Sequence, residues 1–175
     1  MFGTSFGVDE NHGPGRIHLP QQADQQGYFF VVGREVNQLT NLVDGDPVGL
    51  DLDAEGRVYV ADTWNQRIEI FEELDEGNFV AVDEWPVDGW LGQSLENKPY
   101  LAVGGNGDVC VSDPEGYRIL CFDDEGEFRI GWGSFGGGDA QFGLPMGLAF
   151  AESGTLWVTD GANDRVMRFE LPGGE

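Results

Sequence analysis

The stretch Gly56-Arg-Val-Tyr-Val-Ala-Asp-Thr-Trp-Asn-Gln-Arg-Ile-Glu-Ile-Phe71 decides the fold, because it occurs three times. It returns without gaps as Gly107-Asp-Val-Cys-Val-Ser-Asp-Pro-Glu-Gly-Tyr-Arg-Ile-Leu-Cys-Phe122. It returns again as Gly154-Thr-Leu-Trp-Val-Thr-Asp-Gly-Ala-Asn-Asp-Arg-Val-Met-Arg-Phe169. Four anchors coincide in each copy: Gly56/Asp62/Arg67/Phe71, Gly107/Asp113/Arg118/Phe122 and Gly154/Asp160/Arg165/Phe169. Both offsets, 51 and 47 residues, are the same for all four anchors, so this is an internal repeat rather than a chance motif.

Each copy reads as β-strands. Apolar runs precede the glycine (Val48 to Leu52, Tyr100 to Val103, Met146 to Phe150), and Gly-containing turns follow them. Second strands hold Val58 to Ala61, Val109 to Ser112 and Leu156 to Thr159; third strands run Arg67 to Phe71, Arg118 to Phe122 and Arg165 to Phe169. Outer strands fall at Asn78 to Val82 and Glu127 to Gly131. No window keeps a helical apolar period over three turns. Units of four strands recurring at roughly 40–50 residues predict an all-β fold, a β-propeller with three to four blades in this chain. Val58 and Val60 point one way and Tyr59 and Ala61 the other, so both faces of a blade are apolar, as stacking requires.

The blades divide the chain. Residues 1–45 form an irregular segment with a degenerate blade, 46–95 and 96–135 are blades, and 144–172 is a blade lacking its own outer strand. Three to four blades leave three outcomes: Phe2 to Val8 supplies the missing strand, two chains complete a ring, or the natural protein is longer. The latter two are favoured.

If four residues bridge the second and third strands, Asp62 lies opposite Arg67, Asp113 opposite Arg118 and Asp160 opposite Arg165. Opposite charges across a strand pair contribute roughly 0.2–1 kcal/mol, and the Arg fork suits a carboxylate. A residue repeated once per blade is read as structural, not catalytic. The same register places Cys110 opposite Cys121. Two buried thiols are the commoner arrangement for such a pair, and a cross-strand disulfide stays open.

Composition narrows the function. Lys and Arg number 9 against 32 Asp and Glu, for a net charge of −23, and Lys98 is the only lysine. Nucleic-acid and anionic-membrane partners are thereby disfavoured. No apolar run is long enough to span a bilayer, and the start, Met1-Phe-Gly-Thr-Ser-Phe-Gly7, has neither the basic nor the apolar region of a signal peptide. The localisation stays open between cytoplasmic and extracytoplasmic.

Chemistry is sparse. His12 and His18, the only histidines, have no metal-ligand spacing. The carboxylates of Asp44-Gly-Asp46, Asp51-Leu-Asp53-Ala-Glu55 and Asp123-Asp-Glu125 are hard oxygen ligands, so calcium is the one ion considered, with solvated turns the plainer reading. Otherwise no cofactor is expected. Gly131 to Gly138 has no Lys and no following helix, so it reads as a linker rather than a phosphate loop. The turns between second and third strands and the linkers share one end of a propeller, and they carry Trp64, Trp90, Tyr117 and Phe135. The opposite end is acidic. Aromatic residues on a rigid platform serve as interface anchors, or cap the blade core.

The pattern Pro-x-Gly, then Gly-x-φ-x-Val-x-Asp, then Asn-x-Arg-φ-x-φ-Phe resembles NHL repeats, best over Pro47 to Glu72 and Pro145 to Pro172. The resemblance implies a propeller, usually six-bladed, that acts as a binding platform for proteins or, in some members, RNA. Some relatives are metal-using lyases with dedicated His and Tyr residues. The run Glu84 to Tyr100 resembles the C-terminal NHL region of large bacterial membrane glycosyltransferase-like proteins, which would place the repeats outside the membrane. The expectation is a non-enzymatic module that binds a protein, peptide or glycan partner through its aromatic end. The alternatives are a calcium-assisted lyase- or lactonase-like propeller enzyme, and a structural array that forms a homo-oligomer to complete a ring.

Overall fold

Hairpins dominate because each copy alternates apolar residues at period two and breaks at a glycine or a short polar turn. The structure, a computed structural model, describes residues 47–75, 78–90 and 97–172. Eleven strands fill them: β1 (Pro47–Leu52), β2 (Val58–Asp62), β3 (Arg67–Asp75), β4 (Asn78–Pro86), β5 (Leu101–Val103), β6 (Val109–Asp113), β7 (Arg118–Phe122), β8 (Phe128–Trp132), β9 (Pro145–Phe150), β10 (Thr155–Asp160) and β11 (Arg165–Glu170). They form three antiparallel sheets, ordered β1-β2-β3-β4, β5-β6-β7-β8 and β9-β10-β11. The helical content among the described residues is one 3₁₀ turn, Gly161–Asn163. The all-β blade architecture is therefore the expected one. His12, His18, Asp44, Asp46 and the irregular segment 1–45 lie outside the described residues.

Turn chemistry repeats with the sequence. Gly56, Gly107 and Gly154 all have φ between +81° and +88°, which a side chain would strain. One residue before each repeat arginine, Gln66, Tyr117 and Asp164 also sit left-handed, at φ 58°, 55° and 51°. This left-handed step closes the hairpin in the register that pairs Asp62 with Arg67, Asp113 with Arg118 and Asp160 with Arg165.

The core lies between blades. Tyr59, Ala61, Ile68, Ile70 and Trp85 of the first sheet, with Val87 just after it, pack against Leu101, Val103, Val109, Val111, Leu120 and Phe122 of the second. The second sheet's other face, with Cys110, Ile119 and Cys121, packs on Leu156 and Val158 of the third. Val58, Val60 and Phe71 form a further cluster on the first sheet's remaining face. β2 and β6 are buried at every position, whereas β10 places exposed residues among buried ones and β11 alternates half-buried with exposed. Asp51 stitches two blades by accepting the Val103 amide at 2.9 Å, and Gly49 lets β1 approach β5, since a Cβ there would lie 3.1 Å from the Tyr100 backbone. Cys110 and Cys121 are joined as a disulfide across β6 and β7, the less common of the two arrangements open to them.

Candidate functional site

The repeat carboxylates are buried at the turn end of each blade. Asp62 Oδ2 accepts from Arg67 Nε at 2.9 Å and from Asn65 Nδ2 at 2.8 Å. Asp113 Oδ2 accepts from Arg118 Nε at 2.8 Å and Oδ1 from the Gly116 amide at 3.0 Å. Asp160 is the most engaged: Oδ2 accepts from Arg165 Nε at 3.0 Å and Asn163 Nδ2 at 2.7 Å, and Oδ1 from the Gly143 and Leu144 amides, each at 2.9 Å. Burial pushes the Asp160 carboxyl up, but these bonds together outweigh it and hold it below the usual carboxylate range. Such an aspartate ties its hairpin to the linker that enters the same blade.

The three guanidiniums then differ. Arg67 spends its remaining nitrogens on Glu84 at 2.5 Å and Glu69 at 3.2 Å. Arg165 spends them on the carbonyls of Gly137, Gly138 and Gln141, at 2.7 to 3.0 Å. With Asn163 donating to the Gly136 carbonyl at 2.9 Å, this pins the glycine-rich loop; the expected linker Gly131 to Gly138 thus begins only after Trp132, because Gly131 and Trp132 pair with β7 as part of β8. Arg118 has only Asp113 as described partner.

That pinned loop carries Phe135, which is 70% exposed and meets the half-buried Tyr117 ring edge-on at 5.0 Å. Trp64, 54% exposed, stands on the equivalent turn of the first blade. Trp90 corrects the expectation. It is only 1% exposed, and its indole Nε1 donates to the Ser112 carbonyl at 3.0 Å. The Val87-Asp-Gly turn folds it back into the seam between the first two blades, so it is core and not a surface ring.

The acidic turns are internally occupied. Asp53 accepts the Glu55 and Arg57 amides and the Arg57 guanidinium, and Asp123 accepts the Glu125 and Glu127 amides. Burial raises the Asp53 carboxyl, yet its bonds from Arg57 prevail and hold it below the ordinary range. Burial also pushes the Tyr59 phenol up to about 12. Among the described residues no three His, Cys, Asp or Glu side chains are gathered as metal ligands.

Sequence reasoning missed a groove of about 570 Å³ between the outer strands of the first two blades. Trp85, Pro86, Asp88 and Gly89 form one wall; Arg118, Leu120, Phe122 and the turn Glu125 to Phe128 form the other. Gly126, at φ +82°, lets that turn lie on the Trp85 ring, because a Cβ would approach the indole to 2.6 Å. Comparing the copies beyond their four anchors would have exposed it, since Glu69 of the first blade becomes Leu120 in the second.

The NHL repeat profile matches residues 45–71, which take in β1, β2 and the first five residues of β3. Nothing among the curated proteins matches the chain. Among solved structures the chain is similar to a catalytically inactive virginiamycin B lyase from Staphylococcus aureus with quinupristin, at 19% identity and TM-score 0.50. That alignment covers 78% of this chain and 44% of the lyase. It is also similar to the β-propeller domain of Cps50 (Swd1) from Myceliophteria thermophila, at 11% identity and TM-score 0.52, over 82% of this chain and 43% of that one. At such identities the likeness shows the fold alone. The chain spans less than half the length of these propellers. The class defined is a β-propeller blade array. More particularly, its first blade is similar to an NHL repeat over residues 45–71.

Proposed function

We propose that this blade array is a non-catalytic binding module that engages a protein, peptide or glycan through the turn end bearing Trp64 and the Tyr117–Phe135 pair. The observation that carries the reading is the exposure of Phe135 on a loop held by four hydrogen bonds from Asn163 and Arg165. A large ring held in place loses little conformational freedom on binding, which is what an anchor needs. Peptide and glycan arrays probed with the wild-type chain test it. Hits that vanish with Trp64→Ala or Phe135→Ala, at unchanged melting temperature, support the turn end. Hits indifferent to both variants reject it.

A second reading rests on the third blade. Among the described residues its sheet has three strands, and Trp157 and Val166 are exposed on its outward face. Two such arrays, each under half of a solved propeller's length, are suited to completing one ring as a homodimer. Solution mass measured across a salt series tests this: a dimer at high salt supports it and a monomer throughout rejects it.

A further inference from the structure

The disulfide between Cys110 and Cys121 is sealed from solvent. The two residues pair across β6 and β7 and are 0% and 1% exposed. They lie in the seam with the third blade, clustered with Ile119, Phe142, Leu156 and Val158. The repeat shows what covers them. The same paired positions hold Tyr59 and Ile70 in the first blade, both buried in the seam with the second blade. In the third blade they hold Trp157 and Arg168, and there Trp157 is 43% exposed and the Arg168 side chain 62%. The position is thus closed where a neighbouring sheet stacks on it. It is open on the third blade, where among the described residues no sheet does. The third blade is therefore the cover over the bond.

That cover decides the order of events. Thiol–disulfide exchange needs a thiolate and an open approach to a sulfur atom. The closed seam gives neither. A pair placed there does not turn over as a redox couple. Its bond is made while the β6–β7 hairpin is uncovered, and it is kept once the third blade has packed.

We infer that the β6–β7 hairpin is the substrate of a disulfide donor before the third blade docks, and that the chain matures in an oxidising compartment. One cysteine thiolate attacks the donor disulfide and expels one donor thiolate, leaving a mixed disulfide. The other cysteine thiolate attacks that bond and expels the second. Two protein thiols become one S–S bond, and the donor leaves as two thiols with the two electrons and two protons. A thiol-rich cytosol holds such a pair reduced, so of the two locations that the sequence leaves open this assigns the extracytoplasmic one. The inference holds whatever the turn end binds.

The full chain supplies the test. In the cells that make it, quenched with acid and alkylated, no cysteine should take the label until reductant is added; two labelled cysteines overturn the compartment. In native buffer, dithiothreitol should reduce the purified oxidised chain at least about a hundredfold more slowly than in concentrated urea, because reduction waits for the seam to open. Equal rates overturn the order of events. Leu156→Ala thins the cover and should speed native reduction about tenfold or more, whereas Ile68→Ala, in the other seam, should speed it less. Equal acceleration by both overturns the third blade as the cover. Finally, oxidised glutathione should form the bond readily when present during refolding of the reduced chain, and at least about a hundredfold more slowly when added afterwards. A reduced chain that regains its fold only once oxidant is added supports the same order, since docking then waits on the bond. Oxidation as fast after refolding as in urea overturns it.

Discussion

Two carboxylates close to repeat arginines respond to pH in opposite directions. Asp160 accepts four bonds, and its folded carboxyl lies below the ordinary value near 3.9. Its contribution is therefore present above about pH 4 and is lost as pH falls through the folded value. Glu69 is the reverse: burial, then repulsion from Asp62 and Glu84 set against attraction by Arg67, leaves it above the ordinary range. It favours folding at low pH and penalises it as pH rises past about 4.3. With a net charge of −23 the whole chain titrates too, so the useful quantity is the difference between wild type and variant. Asp160→Asn places an amide against two donors and is expected to cost about 3 kcal/mol at pH 7, a loss that shrinks towards pH 3. Glu69→Gln is expected to be neutral near pH 4 and to gain up to about 1 kcal/mol at pH 7. Urea unfolding of both variants at pH 3, 4 and 7 checks the two slopes; parallel slopes would contradict the assignment.

At the scale of the hairpin, register comes from the left-handed residue before each arginine. Gln66→Val asks a β-branched residue to adopt φ near +58° and is expected to cost about 1–2 kcal/mol, whereas Gln66→Gly should lie within about 0.5 kcal/mol of wild type. Equal urea midpoints for the two variants would dispose of that account. The disulfide acts on the same scale. Replacing Cys110 and Cys121 together by Ala reopens a loop with sequence separation 11, and loop-closure entropy sets the cost at about 3 kcal/mol, measured as a shift in urea midpoint that reductant reproduces in the wild type. These hairpins were legible in the sequence because their register is local: anchors five residues apart in one turn fix which residues face each other. Trp90 was not, because its position depends on a turn folding back into the seam with a neighbouring blade. A Cβ on Gly89 would come within 2.7 Å of Leu120 and 2.8 Å of Arg118, contacts that no spacing reveals. The groove escaped notice for a related reason. It arises where a copy departs from the repeat, at Leu120 and Gly131, while the fold was read from where the copies agree.

For the whole molecule, the decisive asymmetry lies between covered and uncovered blade faces. β6 is buried throughout, because it sits between the apolar faces of the first and third sheets, and β2 is likewise buried at every position. In the third blade, Trp157 is 43% and Val166 62% exposed, and among the described residues β11 is the outer strand of its sheet. On the first blade, Leu50 and Leu52 are exposed as well. Burying apolar surface gains about 25 cal/mol per Å², which favours meeting of the two ends in a second copy. A two-fold ring makes that contact twice, third blade on first blade. Opposing it is the repulsion of two chains each carrying −23. Salt reduces that term steeply, since the screening length falls from about 10 Å at 0.1 M to 3 Å at 1 M, while apolar burial is retained. The expected behaviour is thus a monomer in dilute buffer that passes to a dimer as sodium chloride is raised towards 1 M, read by light scattering. Trp157→Lys places a charge on the contact face without touching a buried position, and it should keep the chain monomeric at every salt concentration. A wild-type chain that stays monomeric throughout the series, or a dimer insensitive to Trp157→Lys, would show that these faces do not meet in a second copy.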